Sequence, residues 1–264
     1  MSRFRIKIAI VVLTLCLTGC TERDELKLPV TIQFMMQFQQ PVMQWHYEPT
    51  ITVTELFNVD ECLIGIRGIQ FEGKREAGED VFFETDPEIT LINIRLTDPM
   101  TPATITYFEI PQGIYNYIKC EIFLRDILSG GSVGSNDIDF LNAGFIIKGK
   151  FEKKYFTDDD FVPSPEDYSI PFIMSIDDAE ILNLSFSPEY NSGKIVIDRN
   201  KQYVAILYLD LNHVFKSISS ESIENAEMTG EGSNRTVIIS SEKNKNLYEN
   251  LLFRLGQSST VIIY

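Results

Sequence analysis

Period-two alternation of apolar and polar residues recurs along most of this chain, and a chain so patterned is committed to half-buried strands. In residues 31–38, Ile32, Phe34, Met36 and Phe38 face one way, and Thr31, Gln33 and Gln37 the other. In IYNYIKCEIFL, 114–124, Ile114, Ile118, Cys120, Ile122 and Leu124 are predicted to share a face opposite Tyr115, Tyr117, Lys119 and Glu121. Further strands are predicted at 62–71, 89–96, 103–110, 143–151, 168–175, 180–187, 194–198 and 202–210. The run YVAILYLDL is apolar on both faces and reads as a central strand. Pro111-Gln112-Gly113 and Ser192-Gly193 punctuate these runs where hairpin turns are needed. About ten short strands at such intervals favour an antiparallel β-sandwich over alternating βαβ units.

The last third departs from this rhythm. LNHVFKSI, 211–218, predicts a short helix, residues 219–235 are polar, and TVIIS predicts a strand. Residues 242–255 predict an amphipathic helix, with Leu247, Leu251 and Leu255 at i, i+4, i+8 and Tyr248 and Leu252 beside them. Gly256 is placed as its C-terminal cap, and STVIIY as a last strand in search of a sheet. The predicted layout is a signal segment at 1–19, an acidic tether at 20–28, a β-sandwich at 29–218 and a C-terminal extension at 219–264 packed on the same domain.

Arg3, Arg5 and Lys7 precede an apolar run from Ile8 to Leu17. That is the order of an export signal, and the run is half the roughly twenty residues a spanning helix needs. It ends in Leu17-Thr18-Gly19-Cys20, which resembles the lipobox of bacterial lipoproteins. The resemblance implies cleavage between Gly19 and Cys20 and acylation of the Cys20 thiol. The expected location is the outer membrane, lipid-anchored, with either leaflet open. Thr21 is not the aspartate associated with inner-membrane retention, and Glu22-Arg23-Asp24-Glu25 loosely resembles the acidic tag of surface lipoproteins.

The formal net charge is −15. Such a surface repels phosphate backbones, so nucleic acid is not an expected partner. It repels anionic lipid too, which leaves the acyl group as the membrane connection. Cys62 and Cys120 are the cysteines beyond the lipobox. As an exported pair they are candidates for a disulfide. As members of apolar stripes, Cys62 with Ile64 and Ile66 and Cys120 with Ile118 and Ile122, they read better as small core residues.

FEIPQGIYNYIKCEIFL, AGFIIKGKF, YSIPFIM and YVAILYLDLNHVF together resemble a family of exported β-sandwich lipoproteins of unknown function, over roughly residues 50–218. The resemblance implies a transthyretin-like or immunoglobulin-like sandwich and carries no reaction. A more distant likeness is to fimbrillin-type subunits and anchors, which depend on a cut after arginine ahead of a removable strand; Arg23 precedes the first strand here.

Few residues invite chemistry. His46 and His213 are the only histidines, and no G-x-S-x-G elbow supplies a serine nucleophile. His213 beside Val214 and Phe215 reads as a packed or surface histidine. Trp45, His46 and Tyr47 in QWHYEP read as a loop between strands, able either to stack on a sugar face or to lid the core. Asp158-Asp159-Asp160 and Asp177-Asp178 are adjacent acids in turns, not the spaced pair of a glycosidase. Neither TDDDFV nor SNDIDF matches a calcium loop. No catalytic residue, metal ligand set or cofactor is therefore expected. The expectation is a non-enzymatic, membrane-tethered module that binds or assembles with a glycan or protein at the envelope. The alternatives are a carbohydrate-binding accessory lipoprotein and a fimbrial anchor or subunit.

Overall fold

Residues 28–47, 51–85, 92–127, 142–157, 167–188, 193–230 and 235–264 are described by a computed structural model. The signal segment, Gly19, Cys20, most of the tether and the Asp158-Asp159-Asp160 run lie outside the described residues. The chain begins with β1 (Pro29–Gln39), β2 (Gln44–Tyr47), β3 (Ile51–Arg75), β4 (Val81–Glu84) and β5 (Ile92–Leu96). Next come β6 (Ala103–Pro111), β7 (Gly113–Leu124), β8 (Ala143–Thr157), β9 (Tyr168–Asp177), β10 (Ile181–Pro188), β11 (Ile195–Ile197) and β12 (Tyr203–Asp210). Helices α1 (Leu211–Phe215) and α2 (Ser220–Glu224), strands β13 (Met228–Thr229) and β14 (Thr236–Ile239), helix α3 (Lys245–Ser258) and strand β15 (Thr260–Ile263) complete it. The protein is mainly β. The fifteen strands among the described residues join in one sheet, ordered β13-β14-β9-β8-β3-β7-β10-β15-β12-β1-β6, with β2, β4 and β5 also on β3 and β11 on β7.

The sheet is mixed, not antiparallel as expected. β1 runs parallel to β12, β10 to β15 and β14 to β9. Alternation records which side chains point inward and is blind to strand direction. All three parallel pairs join segments far apart in sequence, where no hairpin fixes the sense.

β3 organises the sheet, and two register irregularities explain how 25 residues keep one face buried. Val53, Phe57 and Val59 are buried at odd positions. A bulge between Val59 and Glu61 shifts the phase to Cys62, Ile64 and Ile66. A second, between Ile66 and Gly68, shifts it back to Ile69 and Phe71. An extra residue on one strand reverses every later side chain, so each bulge restores the inward face after a break in the pattern. The same device corrects the predicted faces of β7. The register shift opposite Lys74 and Arg75 leaves Ile114 exposed and turns Tyr115 fully inward. Tyr115 donates its hydroxyl to the Pro111 carbonyl at 2.6 Å, and burial pushes its pKa up to about 12 against the pull of Arg75. A Cβ on Gly73 would sit 2.9 Å from the Tyr115 ring, so that crossing needs glycine.

Distant parts of the sheet pack face to face. Phe71 of β3 stacks on Phe108 of β6 with centroids 4.1 Å apart, and Phe34 of β1 sits 5.8 Å from Phe71. In sheet order β3 and β6 are six strands apart. At about 4.8 Å per strand, only a sheet that curls back on itself brings these rings together. The other half of β3 is covered by the last third of the chain. Phe57 stacks on Phe215 of α1 at 4.9 Å, and Tyr248, Leu251 and Leu255 of α3 are buried in the same core. Gly256 lies inside α3 and Ser259 caps it. β15 is inserted between β10 and β12, so residues 219–264 are woven into the sheet that residues 29–218 begin. TVII is apolar on both sides and requires two neighbours.

Candidate functional site

Trp45, His46 and Tyr47 lie on a strand, β2, and not in a loop; β2 pairs antiparallel with the start of β3. Two side chains fix its position from outside the sheet. Asn212 Oδ1 of α1 accepts the Val42 N–H at 3.0 Å. Gln40 satisfies Val59 twice, accepting its N–H at 3.0 Å and donating to its carbonyl, as a neighbouring strand would. Because β2 is extended, its three rings divide between two faces.

Trp45 and Tyr47 share one face, with ring centroids 6.4 Å apart and planes 14° apart. Phe156 of β8 joins them, 6.4 Å and 26° from Trp45. Trp45 is 47% and Tyr47 78% exposed, so the row of rings is open to solvent.

His46 turns to the other face, into a groove of 680 Å³. Its strand side is formed by Gln44, His46, Val53, Glu55, Lys153 and Tyr155, and the α1–α2 connection, Lys216 to Ser220, forms the wall. Phe215, fully buried against Phe57, anchors that wall, and Ser219 caps α2 by accepting the Ser222 N–H at 3.2 Å. β-pairing sets Glu55 opposite Lys153, and Lys153 opposite Tyr168.

A chain of polar contacts follows from that register. Glu55 meets His46 at 3.4 Å and Lys153 at 3.6 Å, Lys153 meets Glu224 at 3.0 Å, and Tyr168 donates its hydroxyl to Glu224. Burial opposes the charge on Lys153, yet the bond to Glu224 and the surrounding carboxylate and phenol raise its pKa. Burial likewise opposes the Glu224 carboxylate, which Tyr168 and Lys153 nevertheless hold below the ordinary carboxylate value. Burial and the bond to Glu224 push the Tyr168 phenol up. The lysine is thereby locked in its charged form.

The groove brings His46 near serines without pairing them. Ser217 donates to the Val214 carbonyl, Ser219 bonds Ser222, and Ser220 receives Lys153 at 3.5 Å. His213 is exposed on α1, its backbone N–H capped by Asp210. Asp177 and Asp178 line a separate cleft of 560 Å³ with Glu242 and Lys243. Among the described residues no group of three or more His, Cys, Asp or Glu is placed to hold a metal ion, and no helix is long and apolar enough to cross a membrane.

The candidate disulfide is not formed. Cys62 and Cys120 are both free and buried. Cys120 pairs in register with Phe71, nine positions along β3 from Cys62, several times the ~7 Å Cα limit for a bridge. Burial, with Glu61 beside Cys62 and Glu121 beside Cys120, pushes both thiols up, so they behave as inert core residues.

Glu55, Lys153, Tyr155, Tyr168, Lys216 and Glu224 are site residues that the sequence reading passed over. One signal was available. Glu55 falls in phase between the buried Val53 and Phe57, and Lys153 in phase next to the buried Phe151. A charge on an inward stripe marks a place where the core is interrupted. No protein family, curated protein or solved structure matches this chain.

Proposed function

We propose that this chain is a non-enzymatic, lipid-anchored cell-envelope module, built on a β-sandwich, that binds its partner at the corner formed by β2, β3 and β8. The observation that carries this reading is the row of exposed Trp45 and Tyr47 continued by half-buried Phe156. Large rings left in water on an ordered strand are what a binding surface retains and a packing surface does not. The sandwich is supported by the face-to-face packing of Phe71 on Phe108. An amphipathic C-terminal helix is supported by Tyr248, Leu251 and Leu255 buried against Phe253 exposed. The tether at Cys20 and the outer-membrane location rest on Leu17-Thr18-Gly19-Cys20.

Near-coplanar, solvent-facing rings favour a saccharide as the partner, since they stack on the C–H face of a sugar ring. Two experiments test these readings. Cys20→Ala should release the protein from the membrane fraction, and unchanged fractionation would remove the tether. Trp45→Ala should abolish retention on the glycans that hold the wild type, and retention at wild-type strength would reduce Trp45 to packing.

A further inference from the structure

The groove on the reverse face of β2 has no role in that reading, and its charge sets it apart from the rest of the molecule. The chain is strongly acidic, at net −15, and the second cleft follows suit with Asp177, Asp178 and Glu242 against Lys243. The groove lining reverses the balance, with Lys153 and Lys216 against Glu55. Glu55 and Glu224 are both committed to Lys153, and Glu55 also to His46. Lys216 is different: it is exposed on the groove wall, and none of the ion pairs among the described residues engages it. It is a cation held open in a cleft of an anionic protein.

The rest of the lining is mixed in a way that suits one ligand class. Val53 and Ile218 are buried apolar residues facing the groove and Tyr155 offers a ring. Gln44 and the hydroxyls of Ser217, Ser219 and Ser220 supply neutral donors and acceptors around them. An apolar base, a ring and scattered hydroxyl partners match a pyranose, and the groove volume lies within the about 300–1,000 Å³ usual for ligand pockets. Lys216 adds what a neutral sugar would not use.

We infer that this groove binds an acidic saccharide of the uronate class, its carboxylate on Lys216 and its ring against Val53, Ile218 and Tyr155. The inference rests on the saccharide reading above and adds the charge of the ligand and a second contact face.

The test uses the full chain in detergent micelles and a panel of uronate oligosaccharides, each compared with its own methyl ester, which keeps the sugar and removes the charge. The wild type should bind the acids more tightly than the esters, and added salt should erase the difference. Lys216→Gln should weaken acid binding about tenfold, the worth of one charged hydrogen bond, and leave the esters unaffected. Lys201→Gln, at an exposed lysine away from the groove, should change neither. If acids and esters bind alike to the wild type and to Lys216→Gln, the acidic-ligand inference is overturned while the saccharide reading stands. If no member of the panel binds but neutral glycans are retained through Trp45, the inference again falls alone. If no saccharide binds at all, both fall.

Discussion

The two ends of β3 are the same strand under opposite demands. From Cys62 to Phe71 its inward face is sealed, and Cys62, Ile64, Ile66, Ile69 and Phe71 are buried against β1, β6 and their neighbours. From Thr52 to Val59 the inward stripe reads Val53, Glu55, Phe57, Val59, and the carboxylate interrupts it where the groove opens. The outward faces differ as well: the first end carries the exposed rings of β2 and half-buried Phe156 of β8 alongside it. A strand can thus be core at one end and site at the other, with one in-phase charge marking the change.

Substitutions should separate the two ends by size of effect. Phe71→Ala removes a ring packed on Phe34, Phe108 and Phe186 and should lower stability by about 3–5 kcal/mol. A denaturant midpoint close to wild type would show that the sealed end is not the core. Gln40→Leu leaves the Val59 N–H and carbonyl without the side chain that serves them. About 1–3 kcal/mol should be lost, and hydrogen exchange at Val59 should quicken before that at Phe71.

A third outcome concerns pH. The pKa of Glu224 is lowered by folding, so its contribution is complete above the ordinary carboxylate pKa and disappears as pH falls through the folded value. Unfolding curves of Glu224→Gln should therefore show a shallower acid-side decline than wild type; parallel curves would mean that the Lys153–Glu224–Tyr168 contacts contribute nothing. The smallest change is expected from Trp45→Ala. Half in water already, Trp45 should cost less than about 1 kcal/mol on removal, and a larger loss would assign it to the core.

How much of this was legible in the sequence depends on how the phase of alternation behaves. Unbroken phase makes β1 and β12 plain: Ile32, Phe34, Met36 and Phe38 are all buried, and YVAILYLD lies between two strands as its two apolar faces require. Broken phase hides the rest. Bulges at Asp60 and Arg67 divide β3 into stripes of opposite parity, so only its second half reads as a strand, and the same effect inverts Ile114 and Tyr115. QWHYEP reads as a loop because a four-residue strand is too short to establish a period; its pairing partner, Thr52–Glu55, defines it. The groove was hidden for another reason. Its lining comes from β2, β3, β8 and the α1–α2 connection, and only register tells that Glu55 meets Lys153.

The position of β15 sets a schedule for folding. β10 and β12 are not hydrogen-bonded to each other; Thr260–Ile263 lies between them, pairing Val261 with Phe186 on one side and with Leu207 on the other. The path from β10 to β12 in the sheet therefore runs through residues 260–263. Pairing across such a distance in sequence is intrinsically slow, so completion of the sheet is expected to be a late step of folding.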